Sequence, residues 1–168
     1  MKAGAKPKRP VRERAEMTGA VVLGEEPKPK KLRVDGQVTG LAGELFVAAE
    51  LLKRGLQTSI TFGNAKAVDL LAFNPVTGRT FTVQVKALRS RNYFPISHSR
   101  VSPQHVYVFV ILNKPGKAVQ FYIAPGKTLV DDPARFGKWF TEEKFPGVHV
   151  RSLEDLAENW SVFDEPAL

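Results

Sequence analysis

Residues 68–86 read Val-Asp-Leu-Leu-Ala-Phe-Asn-Pro-Val-Thr-Gly-Arg-Thr-Phe-Thr-Val-Gln-Val-Lys, and the fold turns on how this stretch pairs with itself. Val68–Phe73 reads as a strand, Asn74-Pro75-Val76-Thr77-Gly78-Arg79 as a turn, and Thr80–Lys86 as the partner strand. Period-2 alternation puts Thr82, Gln84 and Lys86 on one face of that partner, with Phe81, Val83 and Val85 on the other. With Phe73 opposite Thr80, Asp69 falls opposite Gln84, and Lys86 lies just beyond on the same face. A register slip of two residues would preserve this clustering; a slip of one would destroy it. Asp69 is conspicuous because aspartate is depleted from strands, and this one interrupts an apolar run.

Upstream, Leu41, Leu45, Ala48, Ala49 and Leu52 recur at helical spacing, with Thr39 as expected N-cap and Gly55 as expected stop. On this helix Glu44 lies about 60° from Leu41 and about 40° from Ala48, at the edge of the expected apolar stripe, whereas Glu50 points to solvent. From that edge Glu44 can reach toward the sheet and meet Asp69. Gln57–Phe62 reads as a strand and Gly63-Asn64 as its turn.

Downstream, a polar, basic stretch is followed by strands at His105–Leu112 and Val119–Ala124 around the Pro115-Gly116 turn. Helical pieces follow at Pro133–Lys144 and Ser152–Asn159, with a short strand at Val148–Arg151. The order predicts an α/β domain with a central mixed sheet of about five strands and helices packed on it.

The chain has 168 residues, 43% of them apolar, which suits one globular domain at residues 34–168. It has no cysteine, so disulfides, thiolate zinc sites and cysteine nucleophiles are excluded. The longest apolar run, Val106–Leu112, is too short to span a bilayer, and the basic, Pro-rich start lacks the apolar stretch of a secretory signal. A cytoplasmic location is the expectation. Most of the +8 net charge sits in residues 1–33, read as a disordered basic N-terminal arm that is either a phosphate-seeking polycation or a solubilising extension.

Asp69, Glu44, the Gln84 side-chain oxygen and the Val85 carbonyl form a hard-oxygen donor set suited to Mg²⁺ or Mn²⁺, leaving room for water and a phosphate. Lys86 beside them would orient or help deprotonate that water and stabilise developing charge. Taken singly, each residue has a plainer reading: a lysine snorkelling from a strand end, a turn-proximal aspartate, a neutral residue on an exposed strand face. Their joint parity and spacing favour the site.

With Gly43-Glu44 on the helix, Val68-Asp69-Leu70 on one strand and Val83-Gln84-Val85-Lys86 on the next, the sequence resembles the PD-(D/E)XK nuclease superfamily. It is most similar to the Gln-x-Lys branch, which includes group I intron homing endonucleases and uncharacterised bacterial relatives. The resemblance covers roughly residues 37–124; Tyr122-Ile123-Ala124-Pro125 and Trp160 are weakly similar to the same branch. It implies a restriction-endonuclease-like α/β/α core, with Asp69 as metal ligand, Gln84 at the second motif position, Lys86 as catalytic lysine and Glu44 as helix-borne acid. Gln84 stands where a carboxylate is usual, and Ala67-Val68 stand where a proline would precede the aspartate.

The function expected is Mg²⁺- or Mn²⁺-dependent endonucleolytic hydrolysis of DNA phosphodiesters, with RNA left open as substrate. The alternatives are a catalytically inactive nucleic-acid-binding module of the same fold, or an enzyme like the Holliday-junction resolvases, acting as a homodimer. Arg89, Arg91 and Arg100 are candidate phosphate contacts, as is His98, with Tyr93 or Phe94 placed to stack on a base. Trp139, Phe140, Phe145 and Trp160 are expected in the core.

Overall fold

The structure, a computed structural model, describes residues 35–61 and 68–165. The basic arm, Phe62 at the end of the first expected strand and the Gly63-Asn64 turn lie outside those residues. The decisive hairpin forms in the expected register, between β2 (Leu70–Asn74) and β3 (Arg79–Leu88), with Phe73 opposite Thr80 and Leu70 opposite Val83. Asn74 builds the turn. Its side-chain oxygen accepts from the Val76 N–H at 2.8 Å and its side-chain amide donates to the Phe163 carbonyl at 2.9 Å. A buried polar residue is thereby satisfied while it ties the hairpin to the C-terminal segment.

β1 (Gln57–Ile60) pairs antiparallel with β2 on the outer side. β4 (Tyr93–Pro95) follows β3 and belongs elsewhere. On the inner side β5 (His105–Ile111) runs parallel to β3, and β6 (Gln120–Pro125) runs antiparallel to β5. The five-stranded sheet is therefore mixed, in the order β1-β2-β3-β5-β6. β5 is buried on both faces, as its near-continuous apolar run requires.

One face of the sheet is covered by α1 (Gly36–Lys53) and the turn Trp160–Asp164. Val47 and Leu51 pack there with Val83, Val85, Val108, Trp160 and Phe163. The other face is covered by an aromatic layer that sets Phe94, Phe136 and Phe140 against Phe109 and Tyr122. This second layer is built from short pieces: β4, α2 (Gly126–Asp131), 3₁₀ turns and β7 (Gly147–His149), which pairs antiparallel with β4. The expected helices at 133–144 and 152–159 are instead 3₁₀ turns at Pro133–Phe136, Lys138–Phe140 and Val150–Leu156. A 3₁₀ turn of a few residues suffices to drop Phe136, Phe140, Leu153 and Leu156 onto the sheet.

The helix corrects two expectations. Asp35, not Thr39, caps it, accepting from the Gln37 N–H at 3.1 Å, while Thr39 lies a turn inside and is buried. The buried face is Thr39, Gly43, Val47, Ala48 and Leu51, whereas Leu41, Leu45, Ala49 and Leu52 are exposed. The reason is the closeness of the sheet. A Cβ on Gly43 would lie 2.5 Å from the Ala87 Cβ, so the helix rests its glycine directly on β3. The end at Gly55 is as expected, with its φ of +86° in the left-handed region.

Candidate active site

Asp69 stands just before β2, where the hairpin runs out of partner strand. Its N–H donates to the Val83 carbonyl at 2.9 Å, and its carboxylate accepts the Val85 N–H at 2.7 Å. A side chain thus takes over from a backbone carbonyl as the partner of β3. One carboxylate oxygen is fixed by this bond, and its twin is left for other work. In an extended residue the N–H and C=O point the same way, so the Val85 carbonyl turns to the edge where Asp69 sits. Gln84 and Lys86 flank Val85 and project from the opposite face to its buried side chain, into an open cavity of about 1050 Å³.

Glu44 reaches this neighbourhood from α1. By helical geometry it lies about 20° from Leu51 and about 40° from Ala48, inside the face that is buried rather than at the edge of the exposed stripe. Its carboxyl is held above the ordinary value of 4.5, first by burial and then by the negative charge of Asp69, with the Lys86 ammonium pulling the other way. Glu44 therefore feels the charges of both Asp69 and Lys86. Glu50, expected toward solvent, is half-buried and ion-paired with Arg54 and Lys53.

Among the described residues no three or more His, Cys, Asp or Glu side chains cluster closely enough to hold a metal ion. A cation here would rest on two carboxylates, the Gln84 oxygen and the Val85 carbonyl. That set is all hard oxygen, and the charge of Asp69 adds to burial in raising Glu44. The residues fit a hard divalent cation with one negative charge fewer than three carboxylates would give.

The expected phosphate contacts divide. Arg100 is exposed and shares the cavity with Gln84, Lys86, Tyr93 and His98. Arg89 is turned to α1, its Nε donating to the Thr39 hydroxyl at 3.1 Å. Arg91 is engaged by Gln120 at 3.2 Å, the Tyr122 hydroxyl at 2.9 Å and Glu154, and it does not line the cavity. Phe94 is fully buried, edge-on to Phe109, so it offers no face to a base. Phe140 and Trp160 are in the core as expected, but Trp139 and Phe145 are exposed. The far wall of the cavity, Thr141–Pro146, escaped sequence reasoning. The pairing of β4 with β7, three residues each and some fifty apart in the chain, carries it there, and strands that short leave no periodicity to read.

No family model matches the chain, and no curated protein does. Among solved structures it is similar to a bacterial homing endonuclease, with a TM-score of 0.51 and 17% identity over 77% of this chain and 92% of that one. It is also similar to Hjc, a Holliday junction resolvase from Archaeoglobus fulgidus, with a TM-score of 0.48 and 17% identity over 77% and 98%. The first likeness is one of fold: a mixed five-stranded sheet with helices on it, the α/β architecture expected from the sequence. No helix among the described residues is long and apolar enough to cross a membrane.

Proposed function

We propose that the chain is a metal-dependent nuclease that hydrolyses DNA phosphodiester bonds endonucleolytically, in the cytoplasm. The observation that carries this reading is the bond from the Val85 N–H to the Asp69 carboxylate. It fixes that acid beside the one residue lying between Gln84 and Lys86, the two β3 side chains that line the cavity; Asp69 and Glu44 themselves do not line it. Asp69, Glu44, Gln84 and the Val85 carbonyl would hold Mg²⁺ or Mn²⁺. Such an ion, when bound, polarises a phosphodiester and makes a bound water more acidic. Lys86, which lines the cavity, would orient the attacking water and neutralise charge developing on the phosphoryl oxygens. Val85, buried and bonded to Asp69, keeps the acid and the lysine in fixed relation. Arg100 and Lys144 at the cavity supply positive charge for flanking phosphates. The excess of lysine and arginine in residues 1–33 would add non-specific phosphate affinity to the domain at 34–168.

A plasmid nicking assay with Mg²⁺ or Mn²⁺ tests this. Metal-dependent cutting should disappear in both Asp69→Ala and Lys86→Ala, and cutting that persists in them would refute the assignment. Deletion of residues 1–33 should lower affinity and flatten its salt dependence while cutting continues. A second reading, a binding module without turnover, is favoured by one observation: the neutral Gln84 at a position facing the cavity. Gel shifts on linear, single-stranded and four-way DNA without cleavage of any would establish it.

A further inference from the structure

The two walls of the cavity beside Lys86 differ in chemistry. One wall is cationic and hydroxylic, with Arg100 and the Ser97 and Ser99 hydroxyls hydrogen-bonded to each other at 2.8 Å. The other wall, Thr141–Pro146, presents Glu142 and Glu143 beside Lys144. With two carboxylates to one ammonium, this wall is the less favourable side of the cavity for phosphate. The carboxylates suit the amino groups on the edge of a base. At about 1050 Å³ the space is at the top of the range for sites that enclose a small molecule, ample for one nucleotide and its waters but not for a stem.

Two aromatic residues complete the chamber. Phe145, on the lip, is 80% exposed, an extreme for a phenylalanine with no core to join. Tyr93 lines the wall, and its hydroxyl is buried with no hydrogen-bond partner among the described residues. That hydroxyl is an unspent donor and acceptor. Tyr93 is also rigidly seated. It pairs with His149 across β4 and β7, and a Cβ on Gly147 would fall 2.7 Å from its ring Cδ1. Only glycine lets β7 pass that close beneath the ring.

We infer that this cavity receives a single nucleotide unstacked from the DNA strand being cut, its base stacked on Phe145 and its polar edge met by Tyr93 and Glu142. The inference rests on the nuclease reading and names its substrate class: DNA with an unpaired or weakly stacked nucleotide at the cut site, where extrusion costs least.

Binding is measured in EDTA with Lys86→Ala, so that no chemistry is required, on a perfect duplex and on the same duplex with one bulged nucleotide. The bulged duplex should bind about tenfold tighter, Phe145→Ala should abolish that preference and Phe145→Trp should keep it, in line with base–aromatic stacking. Tyr93→Phe should reduce the preference without lowering the melting temperature. Equal binding of both duplexes, or a preference untouched by Phe145→Ala, overturns the inference, and wild-type cutting measured alongside then shows whether the nuclease reading survives. A Phe145-dependent bulge preference in a protein that cuts nothing supports the chamber and overturns the nuclease reading instead.

Discussion

Alanine at Gly43 puts the helix-borne acid under mechanical test. The added Cβ would lie 2.5 Å from the Ala87 Cβ and 3.4 Å from the Val85 Cγ1. Carbon atoms pack at about 3.5–4.0 Å, so α1 must back away from β3 by roughly 1 Å or more. Forced overpacking of this kind costs about 1–3 kcal/mol, and the helix propensity gained on leaving glycine returns up to about 1 kcal/mol. The net loss is between near zero and about 3 kcal/mol, a melting temperature lower by several degrees at most. Activity should suffer more, because Glu44 is the next residue and is carried off with the helix. A misplacement of about 1 Å can cost on the order of 100-fold. The assay is plasmid nicking in Mg²⁺ alongside thermal melting, with two further variants. Gly40→Ala lies on the same helix with open space around the new Cβ, and should be stabilised by up to about 1 kcal/mol with cutting intact. The double variant Gly43→Ala/Ala87→Gly removes the clashing methyl and should recover cutting. Gly43→Ala with wild-type cutting, or a double variant no better than the single, would refute the link between helix seating and Glu44.

Asp69→Asn should abolish cutting and yet melt near the wild type, because the amide oxygen still accepts the Val85 N–H. Asp69→Ala should lose cutting and about 1.5–3 kcal/mol as well, the worth of a hydrogen bond to a charged group, read by chemical denaturation. Glu44 has a raised carboxyl, so its ionised form disfavours the fold: its contribution is fully present below the unfolded value of 4.5 and is lost as pH rises through the folded one. Glu44→Gln should accordingly melt higher than the wild type at neutral pH in EDTA, with the gap closing in melts taken below pH 4.5. Arg91→Ala should change the melting temperature little, since its pair with Glu154 is exposed, and leave the salt slope of DNA binding unchanged. Arg100→Ala should reduce that slope by about one, and the reverse pattern in a salt titration would mean the two arginines had been assigned the wrong duties.

The hairpin was legible because two independent signals agree on it. The Asn74–Gly78 turn fixes where the strands reverse, and the alternation of Phe81, Val83 and Val85 fixes which face is buried, so the position of Asp69 relative to Gln84 and Lys86 followed. The α1 face was misread for a physical reason. The helix has apolar residues on two sides, and periodicity cannot say which side meets the sheet when the closest approach is made by a glycine. Glu44, expected at the edge of the apolar stripe, sits instead between Leu51 and Ala48 on the face that is buried. The second layer was opaque because it is made of three-residue strands and 3₁₀ turns joined over long separations. Thus Phe94 and Phe145 exchange their expected places, one sealed by β7 and the other left out on the lip.

The bond from the Asp69 carboxylate to the Val85 N–H ties chemistry and architecture to one side chain. A descendant of this chain that no longer cut anything would still be under pressure to keep an acceptor at position 69, because without one the hairpin opens at its end. Lys86 makes no hydrogen bond or ion pair among the described residues, and its tie to the fold is the charge it offers Glu44, a looser constraint than the Asp69 bond. In any set of related chains, the lysine rather than the aspartate is the position that would separate the working enzymes from their silent cousins.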